Sequence, residues 1–281
     1  MKNIISLTIC ILFITTCTDN PFFDDKISID EHNTVKGKIT LSDQADPSNI
    51  YVWLEGFNLY DWTDSAGNFK IELPPAKSQP GSGLNGIYGL YFYTANYRYI
   101  KYPMHLINGE FDYDSGFLDS GGNFQQDILL EKLLNVSVSV TPAKINPSSR
   151  EAINISIDLE CLADSLIVEG YLTSSDVPGG FLFEEINSLP EEAMFLQNDS
   201  VSFRKAIIKD TVSGTIPVIL PPKIFPDGAY EVWPYIRIIQ DGLPDELLTT
   251  IDENIFELDY HYLSWPVKLQ PGNIIIDQSI N

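Results

Sequence analysis
Short runs of alternating apolar and polar residues recur along almost the whole of this chain. Phe69, Ile71 and Leu73 share one side of an extended segment, with Lys70 and Glu72 on the other. That period of two marks a strand that buries one face. Residues 35–41 alternate in the same way, and 50–54 form a second apolar run. Farther on, the pattern returns in Val136, Val138 and Val140, in Ile153, Ile155, Ile157 and Leu159, and in Leu166 and Val168. Residues 215–220 predict another strand, 229–239 and 247–256 a hairpin around Asp241-Gly242-Leu243-Pro244, and 260–269 the closing strand. The intervening segments are rich in Pro, Gly, Asn and Asp, which turns select. At the first such turn, Asp64 is placed to hold the backbone and Gly67 to take the left-handed conformation, which predicts a hairpin over 61–73. Strands at this spacing predict an all-β chain of two antiparallel β-sandwiches in tandem, over 34–134 and 135–281. One segment breaks the pattern. Ser188-Leu189-Pro190-Glu191 is a capping box followed by Ala193, Met194, Phe195 and Leu196, and predicts a short helix inserted into the second sandwich.

Ahead of the sandwiches, Lys2 leads into an apolar run over 4–15, the length of a signal-peptide core and too short to span a bilayer comfortably. It ends at Ile14-Thr15-Thr16-Cys17, after which the chain turns polar. These residues resemble a bacterial lipoprotein signal, in which an aliphatic residue and two small ones precede the cysteine that is lipidated. Thr16 stands where that signal usually has Gly, Ala or Ser. The resemblance implies a signal peptide over 1–16, lipidation of Cys17 and a polar, lipid-anchored tether over 17–33. The protein is then expected in the cell envelope, held to a bacterial membrane, with the outer membrane favoured, and facing the periplasm or the outside.

Within 34–134, Val35-x-Gly37-x-Ile39, Val52-x-Leu54 and Thr63-Asp64-x-x-Gly67-x-Phe69-x-Ile71-x-Leu73-Pro74 resemble the carboxypeptidase regulatory-like domain. Residues 91–98 and 127–130 are similar to that family's later strands. The resemblance implies a transthyretin-like sandwich with long loops inserted at 75–86 and 103–126. It does not bring the peptidase. Zinc hydrolysis needs His-x-x-Glu and a distant His, and none of His32, His105 or His261 has Glu three or four residues on. In the second half, Asp227-Gly228-Ala229-Tyr230 resembles a turn common in bacterial immunoglobulin-like modules.

Charge narrows the partners. A net charge of −22 disfavours nucleic acid and anionic lipid surfaces, both of which call for basic patches. Once 1–16 is removed, Cys161 is the one cysteine besides Cys17, so no disulfide framework forms within the chain. No nucleophile elbow, phosphate loop, Cys-x-x-Cys pair or calcium-loop spacing is present, and neither a catalytic residue, a metal site nor a cofactor is assigned. The acidic loops around 112–119 and 241–246 remain as candidates for calcium. The densest chemistry is aromatic. Tyr88, Tyr91, Tyr97, Tyr99 and Tyr102 are candidate ligand-binding residues, a platform that sugar rings would stack on. The reading from sequence is therefore a non-enzymatic, lipid-anchored envelope protein that binds a protein partner, with carbohydrate binding through 88–102 as the alternative.

Overall fold
The structure, a computed structural model, describes residues 32–222, 224–257 and 259–279. Cys17, the predicted signal peptide and nearly all of the predicted tether lie outside them. The first sandwich contains β1 (Thr34–Leu41), β2 (Tyr51–Leu54), β3 (Leu59–Trp62), β4 (Asn68–Glu72), β5 (Gly86–Tyr93), β6 (Ile100–Ile107), β7 (Glu110–Phe111) and β8 (Ile128–Leu130). One sheet has the order β4-β1-β8 and the other β3-β2-β5-β6-β7. All pairings are antiparallel except β1 with β8. Alternate residues meet between the sheets: Val35, Ile39, Phe69 and Ile71 from one, Val52, Leu54, Leu90 and Phe92 from the other, all buried.

The turn at Asp64 forms by the expected chemistry but does a different job. Asp64 Oδ1 accepts from the Ala66 and Asn68 amides at 2.9 Å, and Gly67 has φ +83°. Yet β3 and β4 belong to different sheets. The predicted hairpin is a corner that carries the chain from one layer to the other, because β4 pairs with β1 and β3 with β2.

The second sandwich contains β9 (Leu134–Thr141), β10 (Lys144–Ile145), β11 (Ala152–Cys161), β12 (Leu166–Leu172), β13 (Gly180–Glu185), β14 (Met194–Gln197), β15 (Ser202–Ile208), β16 (Thr211–Ile219), β17 (Gly228–Pro234), β18 (Ile236–Ile239), helix α1 (Asp245–Ile251) and β19 (Gly272–Ile276). Its sheets are β10-β19-β17-β13-β14, β16-β11-β9 and β15-β12-β18. Ile153, Ile155, Ile157 and Leu159 of β11 meet Val168, Phe181, Phe183, Val232, Ile274 and Ile276 in its core. The segment predicted as one strand over 229–239 breaks after Pro234, and Tyr235 makes the last bond to the neighbouring strand, its N–H donating to the Gly180 carbonyl at 2.9 Å. Its two halves join different sheets.

Three other sequence-based expectations are corrected. The capping box at Ser188 yields only a 3-10 turn, Pro190–Glu192, and the residues after it form β14, paired with β13. Met194 and Leu196 pack on the second core and Phe195 points the other way. Burial on both faces suits a period of two and not a helix. The strand expected over 247–256 is α1 instead. Leu247, Leu248 and Ile251 lie on one apolar side and Asp245 and Glu246 sit in its first turn, where acids complement the helix dipole. Residues 260–264 form a 3-10 turn, and the closing strand is β19.

Candidate functional site
A strand with both faces buried needs a second core on its outer side. In β2, Val52 and Leu54 face the first core while Tyr51 and Trp53 point outward, yet all four are buried. Their cross-strand neighbours extend the outward face into two rows, Trp62–Tyr51–Tyr93 and Tyr60–Trp53–Tyr91. The second half covers these rows except at Tyr60, which stays half exposed. Leu182, Tyr235, Leu247, Leu248, Ile255, Tyr262 and Trp265 join Tyr51, Trp53, Tyr91 and Tyr93 in a third apolar cluster.

Polar bonds frame this aromatic seam. Tyr51 Oη donates to Thr250 Oγ1 at 2.9 Å, and Thr94 Oγ1 donates to the Pro266 carbonyl at 2.8 Å. Asn96 binds the backbone of Lys268 reciprocally, at 2.8 and 2.9 Å. Gln240 accepts from the Tyr99 amide and donates to the Tyr97 carbonyl. Burial pushes the Tyr51 and Tyr235 hydroxyls up to about 12, so these phenols stay protonated in the physiological range.

The seam accounts for the aromatic stretch. Tyr91 and Tyr99 lie in it, 6.1 Å apart. Tyr97 is buried with the first core and donates to Asp43 at 2.9 Å. Tyr88 packs on Phe57, and Tyr102 on Phe92, Phe117 and Phe124. The five tyrosines are divided between two packing clusters rather than arrayed on one exposed face. Nor do the acidic loops converge. Asp119 is occupied by Gly121 and Asn123, and no group of three metal-ligating side chains occurs among the described residues.

At one margin the seam opens into a cleft of about 590 Å³ lined by Trp62, Trp233, Trp265, Glu184, Lys268 and Asn49, among others. These side chains are gathered from several separate parts of the fold. Trp62 ends β3, Glu184 and Trp233 lie on the outward face of β13 and β17, and Trp265 and Lys268 follow the 3-10 turn after α1. Glu184 is directly opposed by Glu231 across the β13–β17 pair. Burial, reinforced by the Glu231 charge, raises the Glu184 carboxyl above its usual range. Among the described residues no Lys, Arg or His lies within ion-pair distance of either acid. The buried Trp233 indole N–H has the Glu184 carboxyl beside it, a contact that partly offsets the rise in the Glu184 pKa, whereas Trp265 donates to the Ile255 carbonyl at 3.0 Å. Burial lowers the Lys268 ammonium, which is held on the Ser48 carbonyl. Sequence reasoning missed this site because its tryptophans are isolated along the chain, with no local spacing to connect them.

The fold defines an all-β protein of tandem sandwiches. No protein-family model matches the chain, and no curated protein does. Among solved structures, a variant of BcpA, the major pilin subunit of Bacillus cereus, is similar at 14% identity and a TM-score of 0.29. The match covers 74% of this chain and 66% of that one. BcpA itself follows at 11% identity and 0.26, with the same coverage. The Bacillus anthracis TIE protein shows 10% identity and 0.22 over 75% of this chain and 48% of that one. Similarities this distant bear on neither family nor function.

Proposed function
We propose that this chain is a non-enzymatic cell-envelope protein, anchored through lipid on Cys17, whose joined sandwiches form a rigid binding module for a protein partner. One observation carries the reading: an apolar row exposed on the outer face of β15-β12-β18. Ile207, Ile167 and Ile239 are directly opposed across the three strands, with Ile207 62% and Ile167 37% exposed. Single exposed apolar residues are ordinary, but a row of branched side chains ending on an edge strand is a surface for another chain. The neighbouring row is polar, with Glu169 between Lys205 and Arg237. A partner with an apolar strip in a basic setting fits the net charge of −22.

The test is in-cell crosslinking of the full-length protein, followed by purification of what it carries. Wild type is expected to bring down one reproducible envelope protein. Ile207→Glu is expected to lose it while melting within about 2 °C of wild type, as a surface change should. Cys17→Ser is expected to lose both metabolic fatty-acyl labelling and membrane association. Turnover of an envelope substrate by the pure protein, abolished by one carboxylate substitution, would overturn the proposal.

A further inference from the structure
A strand at the border of a sheet turns alternate N–H and C=O groups outward, and folded chains ordinarily close or shorten such an edge. Most edges here follow that rule. In β16, Pro217 removes one N–H, and its carbonyl accepts from the Asn198 side chain at 2.7 Å. In β4, the Lys70 N–H donates to the Asp61 carboxylate at 2.7 Å. In β9, the Leu134 carbonyl accepts from Asn96, and Ser137 bridges to Gln270. The edge strands β3, β7, β8, β10, β14 and β18 have only two to four residues each. The exception is β15. It has seven residues, neither Pro nor Gly, and β12 as its one strand partner among the described residues.

The side chains along this open edge define the strand that would complete it. Phe203, Lys205 and Ile207 share the outer face, opposite Tyr171, Glu169 and Ile167. Phe203 and Ile207 are exposed. Lys205 is exposed as well, and its ion pair is loose. Its Nζ lies 3.9 Å from the Glu169 carboxylate, which Arg237 holds at 3.2 Å. With Arg204 and Lys209 it makes a basic strip on a chain of net charge −22. A strand added here meets an apolar, a cationic and an apolar position in turn. Cross-strand pairing favours β-branched or aromatic residues beside the first and third, and a carboxylate beside the second. A second copy of β15 would set its own Arg204, Lys205 and Lys209 against the same strip. A wholly apolar segment would cover Lys205 without pairing it.

We infer that the partner docks by adding an extended segment to β15, with an apolar–acid–apolar alternation against Phe203, Lys205 and Ile207. The isoleucine row then continues onto the added strand. The acid is a local requirement, and a basic surround in the partner still suits the charge of the whole chain. This deepens the protein-partner reading and rests on it.

The experiment follows amide hydrogen exchange across 202–208 in the purified full-length protein, held in detergent. The probe is the peptide Thr-Ile-Thr-Glu-Thr-Ile-Thr, raised to millimolar concentration. It is expected to slow exchange in β15 saturably. Replacing its Glu by Lys is expected to weaken binding about fivefold. Lys205→Glu is expected to reverse that preference, whereas Lys77→Glu, with the same change in net charge, is expected to leave it as it was. Two further peptides carry N-methyl groups on alternate residues, in the two possible phases. Only one phase blocks the N–H groups that pair with β15, so only one is expected to lose binding. Melting curves show that each protein variant is folded. The inference is overturned if the peptide leaves exchange in 202–208 unchanged, if the Glu and Lys peptides bind alike, or if the two N-methylated forms bind alike. No envelope protein is present, so failure here with in-cell capture intact leaves a partner that docks by side chains alone. Loss of in-cell capture while the peptide still binds removes the partner reading instead.

Discussion
Glu184 works against the fold that holds it. Burial and the opposed Glu231 raise its carboxyl above its ordinary value, against a smaller opposing effect of the Trp233 contact, so folding favours the protonated form. Stability from that form is present below about pH 4.3 and lost as pH rises through the elevated folded value. At neutral pH the ionised side chain is a net cost, discounted because it is partly solvated. Glu184→Gln is therefore expected to raise Tm by about 1–2 °C at pH 7, with the gain vanishing near pH 4. Calorimetry across that range checks it. At this scale the sequence was legible where the signal is local. Asp64 and Gly67 declare their turn because the Asx bonds and the positive φ involve residues within a span of five. Glu184 and Trp233 declare nothing, since their meaning depends on a strand pairing that neither residue's neighbours encode.

At the scale of elements, the segment between β18 and β19 fastens the seam, and its secondary structure is the part sequence patterning read least well. Leu247, Leu248 and Ile251 fit an apolar helix side as readily as part of an irregular strand, and the choice is made by the aromatic surface α1 covers. The residues of β14 posed the converse problem, a good helix start overridden by two cores to be filled. Within this fastening segment, His261 Nδ1 lies 2.8 Å from Asp252 Oδ2, and Ser264 donates to the same carboxylate. The bond to Asp252 raises the His261 pKa above 6.5. Stabilisation from this pair is complete below about pH 6.5 and is lost as pH rises through the higher folded value. Tm is thus expected to decline from pH 6 to 9. His261→Gln should flatten that decline, and a decline of unchanged size in the variant would remove this pair as its cause.

For the molecule as a whole, the aromatic seam replaces a flexible linker with shared packing. His32–Asn281 cluster as one compact unit, and the tyrosines at 88–102 are dense because the strands that carry them have two cores to serve. An all-β tandem sandwich was legible from periodicity. The seam was not, because alternation reports that a face is buried without reporting what buries it. Asn96 shows how tightly the halves are joined: it is fully buried and bonded to the Leu134 and Lys268 backbone. Asn96→Ala strands those groups and is expected to cost about 2–4 kcal/mol, read as an earlier urea midpoint for the single transition of the whole body. Two separated transitions in wild type would mean that the halves are not coupled.

Binding of a partner at the exposed isoleucine row is tested by a photo-crosslinking amino acid at Ile207 in living cells, with Lys77 on another loop as control. One discrete adduct with an envelope protein is expected from position 207, absent from position 77 and lost when Cys17 is replaced by Ser. Equal, diffuse labelling from both positions, or none from either, would contradict it.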